Sequence, residues 1–174
     1  MTPTVETSSA HSAGTLWVVL DTPAVLDAWW FGNPRMLPVK GALEGGHAIW
    51  HATASMRQEL EWVTARASMQ RWKPQGEHPL TALDRWAKLH VTPPAEMRVR
   101  CRDASDQAFI DLALHLARRR ERPAAAVWLL TPDRDLLNLA RRARARQVCI
   151  VGPARWGELP GAAGLSATPS GGGP

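Results

Sequence analysis

Three short apolar runs constrain this chain most: LWVVL at 16–20, AAVWLL at 125–130 and VCIVG at 148–152. Each is too short for a core helix and is apolar on successive residues. Such runs read as strands buried on both faces. Amphipathic helical patterns separate them. The helix expected over 53–68 puts Met56, Leu60, Val63 and Ala67 on one stripe, and the helix expected over 104–120 buries Phe109, Ile110, Ala113 and Leu116. Further helices are read over 22–31, 34–44 and 132–146, and HAIWHA at 47–52 reads as a short strand. Residues 70–95 read as irregular around one short helix, LTALDRWAKLH, and MRVRC at 97–101 reads as extended. Strands alternating with helices specify an α/β fold: a three-layer α/β/α sandwich around a central, mainly parallel sheet of roughly four to five strands. Ligands of such folds bind beyond the carboxyl ends of the strands.

The folded part is expected over 15–156, between a disordered arm (1–14) and a flexible Gly/Pro/Ser-rich tail (157–174) that lacks the apolar residues to pack. No run approaches the ~18 apolar residues of a membrane span. The segment MTPTVETSSAHSAG lacks the basic start and apolar centre of a secretory signal. Cys101 and Cys149 show no metal-ligand spacing and read as free thiols of a reducing cytoplasm. The formal net charge of +5 favours a polyanionic partner.

The acids fall in a pattern against this layout. Asp21 closes the first strand, Asp103 and Asp106 follow MRVRC, and Asp133 follows AAVWLL across Thr131-Pro132. A parallel sheet brings these three junctions to one edge. Glu59, on the helix over 53–68, sits ~60° from the line of Met56 and can point toward that edge, whereas Glu61, ~140° away, faces solvent. Each acid also has a plain structural reading. Asp103 with Asp106 resembles a loose capping box, Thr131-Pro132-Asp133 is a good helix start with Thr as the cap, and Glu59 is a solvated flank charge. Thr22 is able to cap the helix that Pro23 begins, which leaves Asp21 without that explanation. Four carboxylates in one cleft would repel and raise each other's pKa, and a divalent cation relieves this. An all-oxygen site suits Mg²⁺ or Mn²⁺ rather than zinc. Such a metal can ionise a water and stabilise the leaving oxygen of a phosphodiester.

VVLDT before a helix, then QELEWVTAR, CRDASDQAFIDLAL and LLTPDRDLL, occur in that order. Together they resemble the PIN-domain ribonucleases, in particular the group described as toxin components of toxin–antitoxin systems, over residues 16–153. The resemblance implies a parallel sheet between helices and a cluster of acids that binds Mg²⁺ or Mn²⁺ and cuts single-stranded RNA, leaving 5′-phosphate and 3′-hydroxyl ends. It assigns Asp21, Glu59, Asp106 and Asp133 as metal-binding and catalytic, and Asp103, Thr131 and Asp135 as accessory. It implies an antitoxin partner and a homodimer. The chain departs from the family at Pro23. The family usually has Asn there, whose side chain supports the site; Pro has neither such a side chain nor a backbone N–H.

RRRER at 118–122 and RRARAR at 141–146 end two helices. They read as solvated faces matched to the helix dipoles, as a phosphate-binding rim or as a docking surface for an acidic partner. Candidate RNA contacts are Arg102, Arg134, Arg141 and Arg142. Trp29 and Trp30 read as core and dimer-interface residues, and His115 as a surface residue. Two other functions stay open. One is a degenerate PIN domain that binds RNA or protein without cutting. The other is a phosphoryl-transfer or receiver-like domain, which the sequence disfavours: position 23 is Pro where a dehalogenase-type site needs a second Asp, and the last strand runs into Gly152-Pro153 where a receiver needs Lys.

Overall fold

Every apolar run becomes a strand of one parallel sheet. A computed structural model describes residues 15–95, 98–119 and 126–158. The expected arm, and the expected tail from residue 159 on, lie outside the described residues. The strands are β1 (Leu16–Leu20), β2 (Ala48–Thr53), β3 (Ala87–His90), β4 (Val127–Leu130) and β5 (Val148–Val151). They lie in the order β3-β2-β1-β4-β5, and all four pairings are parallel. β1 is central. The chain winds outward from β1 to β3, then crosses back to β4 on the other side of β1. The strand order therefore reverses between β1 and β4, and crevices open at such points in α/β sheets.

Helices cover both faces. Leu16, Val18 and Leu20 of β1 pack with α1 (Thr22–Val25), a π-helical turn (Leu26–Trp30) and α2 (Leu37–Glu44). Val19 faces the other way and joins Val127, Leu129, Val148 and Ile150 under α6 (Gln107–Arg119), α7 (Arg134–Asn138) and α8 (Ala140–Arg144). This is the alternation of a strand buried on both sides. α3 (Ala54–Ala65) follows β2, with Thr53 as its N-cap. α4 (Ala67–Gln70) and α5 (Pro79–Trp86) lead to β3. With nine tryptophans and no tyrosine in the chain, indoles fill much of the interior. Trp29 stacks on Trp50 at 5.2 Å between ring centroids, and Trp30, Trp50 and Trp156 are almost fully buried.

Five expectations need correction. The helix expected over 53–68 ends at Ala65, where Arg66 turns extended and α4 starts in a new direction, leaving Ala67 exposed rather than on the buried stripe. The extended reading of 97–101 fails: residues 98–101 form no strand, and Met97 lies outside the described residues. The fifth strand is β3, read above as the end of a helix over 80–90. Its backbone pairs with β2 from Trp50↔Ala87 to Thr53↔His90, and a His51 Nδ1 to His90 Nε2 hydrogen bond of 2.7 Å ties the side chains. The helix expected over 22–31 widens into the π-turn, where the Phe31 N–H reaches the Leu26 carbonyl at 2.9 Å. That widening turns both Trp29 and Trp30 inward, so their burial within this chain leaves them no surface for a dimer contact. The helix expected over 132–146 breaks at Leu139, between α7 and α8.

Trp50 fills the centre of the first layer, stacked and almost wholly enclosed. Trp50→Ala is expected to cost about 3–5 kcal/mol of folding stability, the range for deleting a large core aromatic. Urea unfolding followed by circular dichroism measures it.

Candidate active site

Asp21 directly follows β1 and is 2% exposed. Its Oδ1 accepts the Ala24 N–H at 2.8 Å, so Asp21 itself is the N-cap of α1. The role expected of Thr22 is thus taken. The Thr22 hydroxyl donates instead to Glu59 Oε1 at 2.8 Å, joining the start of α1 to the middle of α3. The hydroxyl of Thr131, fully buried just past β4, donates to Asp21 Oδ2 and accepts the Asp133 N–H at 2.9 Å. Thr131 is therefore not the cap of the next helix. Asp133 is: its Oδ1 accepts the N–H groups of Asp135 and Leu136 at 2.7 and 3.1 Å, opening α7.

Asp106 is half-buried, immediately before α6. Asp103 does not cap that helix. It forms an exposed turn, accepting from the Ser105 N–H and hydroxyl at 2.9 and 2.8 Å. The loop carrying both acids is held by Gln107. Its Oε1 accepts the Cys101 N–H at 2.7 Å, and its Nε2 donates to the Val99 carbonyl at 3.0 Å and to Asp111 at 2.8 Å. Sequence reading gave Gln107 no role and gave Thr22 only a capping one. Both stand beside an acid, in DT and DQ, and that adjacency is the signal that marks them.

The acids sense one another. Burial pushes the Asp21 carboxyl up to about 7, against two hydrogen bonds that stabilise its charged form, and the charges of Asp106 and Asp133 add to the rise. Burial also pushes Asp106 up to about 6, and the charges of Asp133, Asp103, Glu59 and Asp135 push it further. All the acids expected from the sequence thus share one field at the carboxyl edge, beside the β1–β4 reversal. Glu61 stands apart, paired with Arg57 at 3.7 Å. Among the described residues, no three acidic, imidazole or thiol side chains stand close enough to hold one ion as they lie. The fit to a divalent cation is instead chemical: the donors are carboxylate oxygens, and the charges of their neighbours raise the affinity of Asp21 and Asp106 for a proton. A cation would satisfy that affinity in the proton's place.

Arg102 and Arg134 are exposed neighbours of Asp103 and Asp133 and lie at the same edge. Arg141 and Arg142 are not brought to it. They sit on α8, where the chain descends toward the amino end of β5. His115, expected on the surface, is half-buried. Burial and the Arg119 and Arg118 charges lower its pKa. Pro23 is exposed in the first turn of α1. Among the described residues, no hydrogen bond that holds the acids runs through it.

A five-stranded parallel sheet between helices, with carboxylates gathered at the strand ends, defines a class of α/β proteins built to act on a ligand at that edge. Residues 17–135 match the family model described as PIN domain, which is more than half of the chain. The chain belongs to the PIN-domain family, whose members are generally nucleases and typically use divalent metals. No curated protein matches it.

Two outcomes follow from this geometry. Asp21 holds a proton in the folded chain from its ordinary 3.8 up to about 7, so that proton must leave before a cation can bind. The rise in Tm produced by Mn²⁺ should therefore be large at pH 8 and should fade as pH drops through 7 and 6. Differential scanning fluorimetry at matched ionic strength reads this directly. Thr22→Val removes the side-chain hydrogen bond that Glu59 accepts. About a tenfold loss of Mn²⁺ affinity by titration calorimetry is expected, with an unchanged fold by circular dichroism.

Proposed function

We propose that this chain is a metal-dependent endoribonuclease that cuts single-stranded RNA, with Mg²⁺ or Mn²⁺ held by Asp21, Glu59, Asp106 and Asp133. The observation that carries the reading is the shared field of these acids: Asp21 and Asp106 are both pushed toward neutrality by burial and by the other carboxylates. Few purposes justify gathering like charges at a buried strand end. When bound, the cation would supply Lewis-acid chemistry, ionising a water and steadying the leaving oxygen.

The chain's own residues prepare that chemistry. The Thr131 hydroxyl and the Ala24 N–H fix the Asp21 carboxylate. The Thr22 hydroxyl fixes Glu59. The first turn of α7 holds Asp133 by one oxygen. Asp106 is the less buried of the two strongly shifted acids and so the more accessible of them. Arg102 and Arg134, exposed beside Asp103 and Asp133, would hold phosphates of the RNA backbone, the usual division between backbone contacts that position and groups that react.

The sequence resemblance extends this reading to a cytoplasmic toxin restrained by a cognate antitoxin and acting as a homodimer. Cleavage is preferred over silent RNA binding because Asp21, Glu59 and Asp133 are each fixed by hydrogen bonds even though Pro23 lacks the side chain usual in the family. The test is digestion of mixed single-stranded RNA with Mn²⁺. Cleavage is expected to stop in EDTA and to fall at least a hundredfold in Asp106→Asn, the scale on which a transition-state charge stabiliser acts. Equal cutting in EDTA would overturn the metal-dependent mechanism.

A further inference from the structure

Of the tryptophans in the described residues, Trp62 and Trp72 are the two large indoles left open to solvent, at 62% and 63% exposed. Such rings are normally buried, as most of the others here are, so exposure on a helix next to an acidic cleft asks for a ligand. Trp62 lies on α3 three residues after Glu59. Residues so spaced are neighbours on a helix surface. Relative to the buried line of Met56, Glu59 stands ~60° and Trp62 ~120° round on the same flank. Trp62 therefore continues the surface that begins at the acidic cluster. The Arg66 guanidinium lies 3.5 Å from the Trp62 ring centroid.

The charges are sorted by flank. Arg57, with Glu61 and Asp84, occupies the opposite flank of α3, where the guanidinium binds both Asp84 oxygens at 2.7 and 2.9 Å and lies 3.7 Å from Glu61. Arg66, Arg71 and Lys73, beside the two exposed indoles in sequence, make no ion pair among the described residues. One flank is thus electrically closed, while the flank next to Glu59 carries the open Trp62 ring with the Arg66 guanidinium against it, and Arg71, Trp72 and Lys73 follow shortly after it in the chain. A flat ring backed by a guanidinium, with uncompensated cations following it, matches a polyanion of planar bases.

We infer that Trp62, backed by Arg66, is a nucleotide-stacking subsite that receives a base of single-stranded RNA next to the acidic cleft, with Arg71 and Lys73 meeting the phosphates beyond it. This rests on the ribonuclease reading above. It adds a binding track along α3 that the arginines at the sheet edge do not supply. Stacking takes any base, so the subsite would favour unpaired RNA over duplex without reading sequence.

The test measures binding apart from cleavage. A fluorescein-labelled single-stranded oligouridylate is titrated with the full chain carrying Asp106→Asn, in Mg²⁺, by anisotropy. Adding Trp62→Ala should weaken binding about tenfold, and Trp62→Phe should retain most of it, as expected for one stacked base. Arg66→Ala should also weaken binding and should flatten its dependence on salt. Trp62 is exposed, so thermal melts of these variants should match the parent. If the parent binds the oligomer and Trp62→Ala binds it equally well, the subsite is overturned while the ribonuclease reading stands, and the patch becomes a protein-docking surface. If the folded parent does not bind RNA at all, both fall.

Discussion

The hydroxyl of Thr131 stands between the ends of two adjacent strands, giving its proton to Asp21 and taking one from the backbone of Asp133. A buried carboxylate is costly unless its oxygens are occupied. Here one oxygen is occupied by the first turn of α1 and the other by this hydroxyl. The same threonine therefore makes Asp21 tolerable and sets the position from which Asp133 opens α7. If it were removed, two loops on neighbouring strands would lose their common reference. The arrangement is a polar seam stitched across the top of an otherwise apolar sheet.

That seam lies where it does because of the winding of the chain. β1 is central and first, and the chain completes one side of it before returning to the other. The crevice between the β1 and β4 junctions is therefore walled by segments far apart in sequence. α6 spans the return and brings Asp106 to the same edge, while Gln107 holds the preceding loop against the helix. Glu59 arrives from the side, on α3, steadied by Thr22. Each acid is delivered by a different element, so the field they share is a property of topology rather than of any local motif.

Much of this was legible in the residues. Successive apolar positions marked β1, β4 and β5 because strands buried on both faces leave no polar alternation to obscure them. The acids at the strand ends were visible for the same reason: an Asp immediately after a buried run has few structural excuses. β3 was missed because AKLH carries a lysine and follows a helix without a turn residue. Its strand character comes from the open backbone of β2 and from the His51–His90 contact, both long-range. The π-turn was hidden because widening by one residue answers to two adjacent indoles needing one core, which a regular helical period cannot express. Cap assignments were exchanged at two junctions. Asp, Thr and Ser cap almost equally well, so composition alone cannot say which neighbour is drawn away by a partner across the sheet. Arg141 and Arg142 looked like part of the rim only because the break at Leu139, which sets where α8 lies, is not written in the sequence pattern.

The central position of β1 has a consequence for the chain during its synthesis. Of the five strands, the earliest in the chain is the one that ends up in the middle, and until β4 is made one of its two edges lacks that neighbour. Asp21 remains hydrated until β4 and Thr131 arrive more than a hundred residues later to close that edge. A truncated chain that ends before Val127 retains Asp21, Glu59 and Asp106 but lacks the strand and hydroxyl that bury the first of them. Burial of Asp21 therefore depends on a segment more than a hundred residues downstream, so a shortened product carries three of the acids without the contact that fixes the first of them.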